Sequence, residues 1–203
     1  MISAPEALER LHQGNRRWVT DARTTHGPMV QRRQELVLAQ QPFAVILGCS
    51  DARVPVELIF DQGLGELFVI RVAGNVVASS QVGSVEFAAE RFGLRLVVVL
   101  GHTGCGAVQA TIDELERPTK SRNLLAIVSR IRPSVEGLLA TDLRGDRDAL
   151  MRQAVRANVR ASAHHLRHGS VILEHLIQRN GLMVVGAEYA LETGVVDFFD
   201  GLD

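Results

Sequence analysis

The chain has 203 residues, 46% hydrophobic and 22% charged, the composition of a globular protein, and with no linker it is read as a single domain over residues 1–203. A formal net charge of -1 removes any global argument for nucleic acid binding, and Lys120, the only lysine, leaves phosphate-loop or Schiff-base chemistry almost nothing to use. No apolar run approaches the roughly 20 residues of a membrane span and the start has no export signal, so a soluble cytoplasmic protein is expected, with no membrane partner and with two cysteines for a metal or for catalysis in place of a disulfide.

In chain order, Ser3 and Glu6 have capping-box spacing, and Leu8, Leu11 and Trp18 mark an amphipathic N-terminal helix, for which a partner subunit is the expected cover. A turn at His26-Gly27-Pro28 precedes a helix from about Val30 to Gln40, closed by Pro42. Phe43 to Leu47, apolar on both faces, reads as the first strand of a parallel sheet. Val56 to Phe60 is a short helix, Glu66 to Arg71 the second strand, and Ser80 to Phe92 a helix with Gly93 at its C-cap. Leu94 to Leu100 is the most apolar strand, and Ala107 to Leu115 the helix after it.

Further helices are read over Asn123 to Ile131, which Pro133 ends or kinks, Asp146 to His168 and Ser170 to Asn180. Asp148, Arg152, Arg156 and Arg160 on the long helix read as a solvated face. Leu182 to Ala187 and Val195 to Phe199, joined by the turn Leu191-Glu192-Thr193-Gly194, form an antiparallel edge hairpin. The expected fold is therefore α/β, with a mostly parallel sheet of about four strands, an antiparallel edge strand, and helices on both faces.

The chemistry gathers where strands end. Cys49, Asp51 and Arg53 follow the first strand directly, and His102 and Cys105 follow the third; in an open parallel sheet those carboxyl ends share one crevice. If the two strands are neighbours, Cys49, Asp51, His102 and Cys105 converge as two thiolates, an imidazole and either a carboxylate or water. That set fits a tetrahedral zinc site of the open, catalytic type. Arg53 can hold Asp51 away from the metal by bidentate pairing. The glycines of Gly101-His102-Thr103-Gly104-Cys105-Gly106 lack dinucleotide spacing. His164 and His168, four apart with no nearby cysteine or carboxylate, read as a surface or interface pair, and His12 and His26 are open candidates for proton transfer.

Cys49-Ser50-Asp51-Ala52-Arg53 with His102-Thr103-Gly104-Cys105-Gly106 resembles the beta-class carbonic anhydrase family. The likeness extends to Leu11-His12-Gln13-Gly14-Asn15-Arg16-Arg17-Trp18, Arg71-Val72-Ala73-Gly74-Asn75 and Leu191-Glu192-Thr193-Gly194, with Ala52 in place of a usual serine. The resemblance implies zinc on Cys49, His102 and Cys105, with Asp51 as exchangeable fourth ligand or partner of Arg53. It also implies a hydrogen bond from Gln62 to the substrate, and a homodimer or higher homo-oligomer with the pocket completed across the subunit interface. The implied reaction is reversible hydration of carbon dioxide to bicarbonate and a proton by zinc-bound hydroxide. Alternatives are a carbon disulfide or carbonyl sulfide hydrolase on the same scaffold, or a non-catalytic zinc-binding regulatory domain. Some members bind bicarbonate at an inhibitory second site using a tryptophan three residues before the first cysteine ligand. Ile46 stands at that position, although Arg71 is where that site's arginine would be, so no such regulation is expected.

Overall fold

The computed structural model describes residues 2–24, 27, 29–116 and 121–202, so His26, Pro28 and Lys120 lie outside the described residues. Five strands among these residues form one sheet: β1 (Ala44–Gly48), β2 (Leu67–Arg71), β3 (Leu96–His102), β4 (Met183–Tyr189) and β5 (Val196–Asp200). The order is β2-β1-β3-β4-β5, with β5 antiparallel to β4 and the other pairings parallel. Every residue of β1 and β3 is buried, as a continuous apolar run in mid-sheet requires.

Period-2 alternation divides these strands between two layers. Ile46, Val98 and Leu100 face one side, where α1 (Ala4–Val19) and α3 (Val56–Ile59) contribute Ala7, Leu11 and Ile59. Val45, Leu47, Val97 and Val99 face the other, under α4 (Ser79–Phe92), α7 (Arg147–His168) and α8 (Val171–Asn180), with Val85, Val159, Ala163 and Leu173 between. The sequence reads α1 as a helix for a partner subunit. In the structure its apolar side covers the chain's own sheet, with Ala7 and Leu11 fully buried, and Asn15 ties it to the Ile59 and Gly194 carbonyls. The Ser3–Glu6 capping box forms as the spacing predicts.

Three expectations need adjusting. The second helix, α2 (Met29–Glu35), stops short of the predicted Gln40: it has no buried residue, so nothing extends it, and Leu38 beyond it is 95% exposed. Pro133 does not end its helix, because α6 (Arg122–Leu139) continues through it. One missing amide donor is offset by the seam of Val128, Ile131 and Val135, packed with Val108 and Ile112 of α5 (Gly106–Glu116) and with Leu150, Ala154 and Val155 of α7. The arginine face of α7 is only partly solvated. Arg156 pairs with Glu188 and Asp197, and it and Arg160 both lie over the Phe199 ring, because α7 runs along the β4–β5 edge.

Candidate metal centre

β1 and β3 are neighbours in register, Gly48 opposite Leu100, so the residues after β1 and the last residue of β3 meet at one end of the sheet. Pairing with β4 extends β3 past the predicted Leu100, with His102 opposite Tyr189, which makes His102 a strand residue and wholly buried. Cys49 leaves β1 and Cys105 immediately precedes α5; both are buried. Among the described residues these three form the one group of ligand atoms that could hold an ion, with the two sulfurs and an imidazole nitrogen all within 4.8 Å of one another.

The chemistry of the group fits zinc. His102 Nδ1 lies 2.9 Å from the Thr103 carbonyl, which can only accept, so Nδ1 carries the proton and Nε2 presents a bare lone pair. That Nε2 is buried without a hydrogen-bond partner, a costly condition that a cation would relieve. A hydrogen bond from Cys105 lowers the Cys49 thiol to about 4, and the same contact pushes the Cys105 thiol up. Burial opposes the thiolate of Cys49, whereas the Gly74 N–H, 3.3 Å from its sulfur, favours it. Gly74 donates from a left-handed φ of 70°, and an added Cβ there would lie 2.7 Å from Ile131. The sulfurs sit in an apolar layer with Val76, Val108 and Ile131, which keeps the local dielectric low.

Asp51 is beside this group and not within it. Its Oδ1 accepts from the Arg53 backbone N–H and Nε, both over 2.9 Å, and its Oδ2 accepts from Nη2 over 2.8 Å. That pairing, opposed by burial, holds the carboxyl well below the usual carboxylate range. Oδ2 remains 3.8 Å from His102 Nε2. Gln62, the other residue expected to act on substrate, has no hydrogen bond to the cluster: its amide donates to the Phe60 carbonyl over 2.6 Å and accepts from Arg10 over 3.0 Å. It lines a separate cavity of about 240 Å³ with Glu57, Leu58 and Asp61.

The match to known proteins covers this architecture. A model of the family described as carbonic anhydrase matches residues 44–196. The chain is 37% identical over 191 residues to Carbonic anhydrase 2 of Mycobacterium tuberculosis, covering 93% of this chain and 89% of that protein. The chain belongs to the beta-carbonic anhydrase family. It is also 36% identical to the carbonic anhydrase of Mycolicibacterium smegmatis, over 94% of this chain and 91% of that protein. The crystal structure of the beta-carbonic anhydrase CafA of Aspergillus fumigatus superposes with a TM-score of 0.76 at 26% identity, covering 98% of this chain and 91% of that one.

Around this beta-carbonic anhydrase site lie further residues, two of which, Arg71 and Asn158, support it in ways the sequence did not reveal. Arg71 braces the loop from below, donating to the Cys49 carbonyl over 2.9 Å and to that of Asp51 over 2.5 Å. Its place at the end of β2, in register with Gly48, is the signal that could have revealed this. Asn158 of α7 donates to the Gly74 carbonyl over 2.8 Å and so supports the N–H that meets Cys49. A polar residue midway between Ala154 and Ser162 on the buried side of α7 was its only mark. His12 packs on the Phe198 ring with centroids 4.5 Å apart, and burial lowers its pKa. His164 and His168 are exposed, with their rings tilted against each other and centroids 4.5 Å apart.

Proposed function

We propose that this chain catalyses the reversible hydration of carbon dioxide to bicarbonate and a proton, with zinc held by Cys49, His102 and Cys105. The observation that supports it most is the bare, buried Nε2 of His102 facing two buried thiols, with a carboxylate held just outside by an arginine. Bound zinc supplies a Lewis acid that lowers the pKa of a water and so provides a nucleophile for carbon dioxide near neutral pH.

The residues of the chain do the rest. Arg53 keeps Asp51 ionised and turned aside, so that with a metal held by Cys49, His102 and Cys105 the carboxylate would stay off it, and Oδ2, 3.8 Å from His102 Nε2, would be placed to accept a proton. Released from Arg53, the same carboxylate would be free to bind the metal itself. Gln62, engaged within its own chain with Phe60 and Arg10, serves the site of a second subunit as the amide that orients substrate. The active unit is accordingly a homodimer or a larger homo-oligomer, each chain a single domain over residues 1–203. Among the described residues no helix is long and apolar enough to cross a membrane, and both cysteines are free thiols, which suits a reducing cytoplasmic setting.

Carbonyl sulfide or carbon disulfide hydrolysis is not favoured, since the curated relatives are named carbonic anhydrases. Metal analysis tests the ligand set: about one zinc per chain is expected in the wild type and a large loss in Cys105→Ser. Full zinc retention by that variant would remove Cys105 from the site.

A further inference from the structure

Four hydrogen bonds meet on Thr103, between the metal cluster and the turn that leads into β5. His102 Nδ1–H donates to its carbonyl over 2.9 Å, and its own N–H donates to the Tyr189 carbonyl over 3.0 Å. Its hydroxyl accepts from the Leu191 N–H over 3.0 Å and donates to the Glu192 carboxylate, 3.0 Å from Oε2 and 3.3 Å from Oε1. The carbonyl that sets the imidazole belongs to the peptide joining Thr103 to Gly104. Gly104 gives that peptide little restraint: it has a positive φ of 63° and open space where a Cβ would stand. Beyond the N–H bond to Tyr189, the side chain of Thr103 is therefore what anchors the acceptor, and its only charged partner among the hydrogen bonds described is Glu192.

We infer that Glu192 is a positioning residue of the metal site, an inference that rests on the zinc reading above. Through the hydroxyl of Thr103 it fixes the carbonyl that selects the tautomer and ring orientation of His102, and so slows loss of the metal. Glu192 is exposed and bonds to no ligand side chain, so its effect passes through Thr103 alone. The carboxylate is not a ligand itself and takes no part in the reaction.

The test is zinc transfer from the purified holoprotein to a chromophoric chelator, with melting temperatures of the zinc-loaded and metal-free forms, for wild type, Glu192→Ala, Glu192→Gln, Thr103→Val and the Ala/Val double variant. Loss of an outer hydrogen-bond partner is expected to speed release about tenfold or more in Glu192→Ala and in Thr103→Val, with Glu192→Gln, which keeps an acceptor, within about threefold of wild type. The double variant should release no faster than either single one, since both cut the same chain of bonds. Metal-free melting temperatures of the Glu192 variants should be unchanged. Wild-type release by Glu192→Ala, additive single effects, Glu192→Gln behaving as Glu192→Ala, or equal destabilisation of the metal-free form in a Glu192 variant would each overturn the relay. A wild type that holds no zinc would overturn the metal reading and the relay with it, whereas a zinc-holding wild type with unmoved variants overturns the relay alone.

Discussion

Arg53→Ala removes two of the three hydrogen bonds on the Asp51 carboxylate and leaves the one from the backbone N–H. The freed carboxylate would then be able to bind a zinc held by Cys49, His102 and Cys105, so the hydration rate should fall about ten- to a hundredfold, the range seen when support around a metal site is cut. The loss should span pH 6 to 9, because Arg53 stays charged throughout. Folding stability should hardly change, since the arginine side chain is 58% exposed. Stopped-flow rates and a thermal melt on the same sample check both statements, and a wild-type rate would deny Arg53 this role. At this scale the sequence was informative wherever a residue's place followed from a strand end: Cys49 after β1, His102 at the end of β3 and Cys105 before α5. Asn158 and the Gly74 N–H were not legible. Both act through a crossing between α7 and the Ala73–Asn75 turn, whose contacts are 84 positions apart in the chain.

Elements position the site through two close approaches. An added Cβ on Gly101 would lie 2.5 Å from Val159 and 3.3 Å from Val155, so α7 can rest on β3 one residue before His102 only if that residue is glycine. Gly101→Ala should cost about 1–3 kcal/mol in denaturant unfolding, as overpacking does; an unchanged midpoint would mean that α7 is not pressed on β3. α1 is tied down by Asp61, which accepts from Arg17 Nε over 2.5 Å and from the Thr24 hydroxyl over 2.8 Å. Burial pushes the Asp61 carboxyl up, but Arg17 and Thr24 outweigh it and hold it below its ordinary value. A depressed folded pKa gives stability that is full above the unfolded value, about 3.9, and is lost as pH falls through the folded one. Asp61→Asn should therefore cost about 1.5–3 kcal/mol at pH 7, as loss of a charged hydrogen-bonded pair does, with the gap narrowing in acid as the pH falls below the unfolded value. Equal losses at neutral pH and in acid would contradict the pairing. Periodicity read α4, α7 and α8 to within a residue at either end, because each buries a repeating stripe. It overran α2, where Val37 and Leu38 are apolar but meet nothing, and it stopped α6 early, since a proline in the sequence is visible and the packing that tolerates it is not.

For the molecule as a whole, the sheet order places the proposed zinc ligands at the centre and leaves the outer edge of β2 without a strand partner among the described residues. Phe68, Phe87 and Phe92 cluster beside that edge, and Phe87 is 53% exposed. An open edge and a half-exposed aromatic group are features that a second subunit would cover, in keeping with the assignment of Gln62 to a neighbouring site. The sheet and the convergence of Cys49, His102 and Cys105 could be read from one chain because strand ends and chemistry coincide; what would lie across a subunit interface leaves no spacing in the sequence. Two thiolates would cancel the charge of a bound zinc, which should then acidify a water less than a site of three neutral histidines does, so hydration should be favoured on the alkaline side of neutrality. The direct test is stopped-flow carbon dioxide hydration by the zinc-loaded protein from pH 6 to 9. A rate well above buffer that climbs with pH is the predicted result; a zinc-loaded protein with no hydration above buffer at any pH would contradict the account.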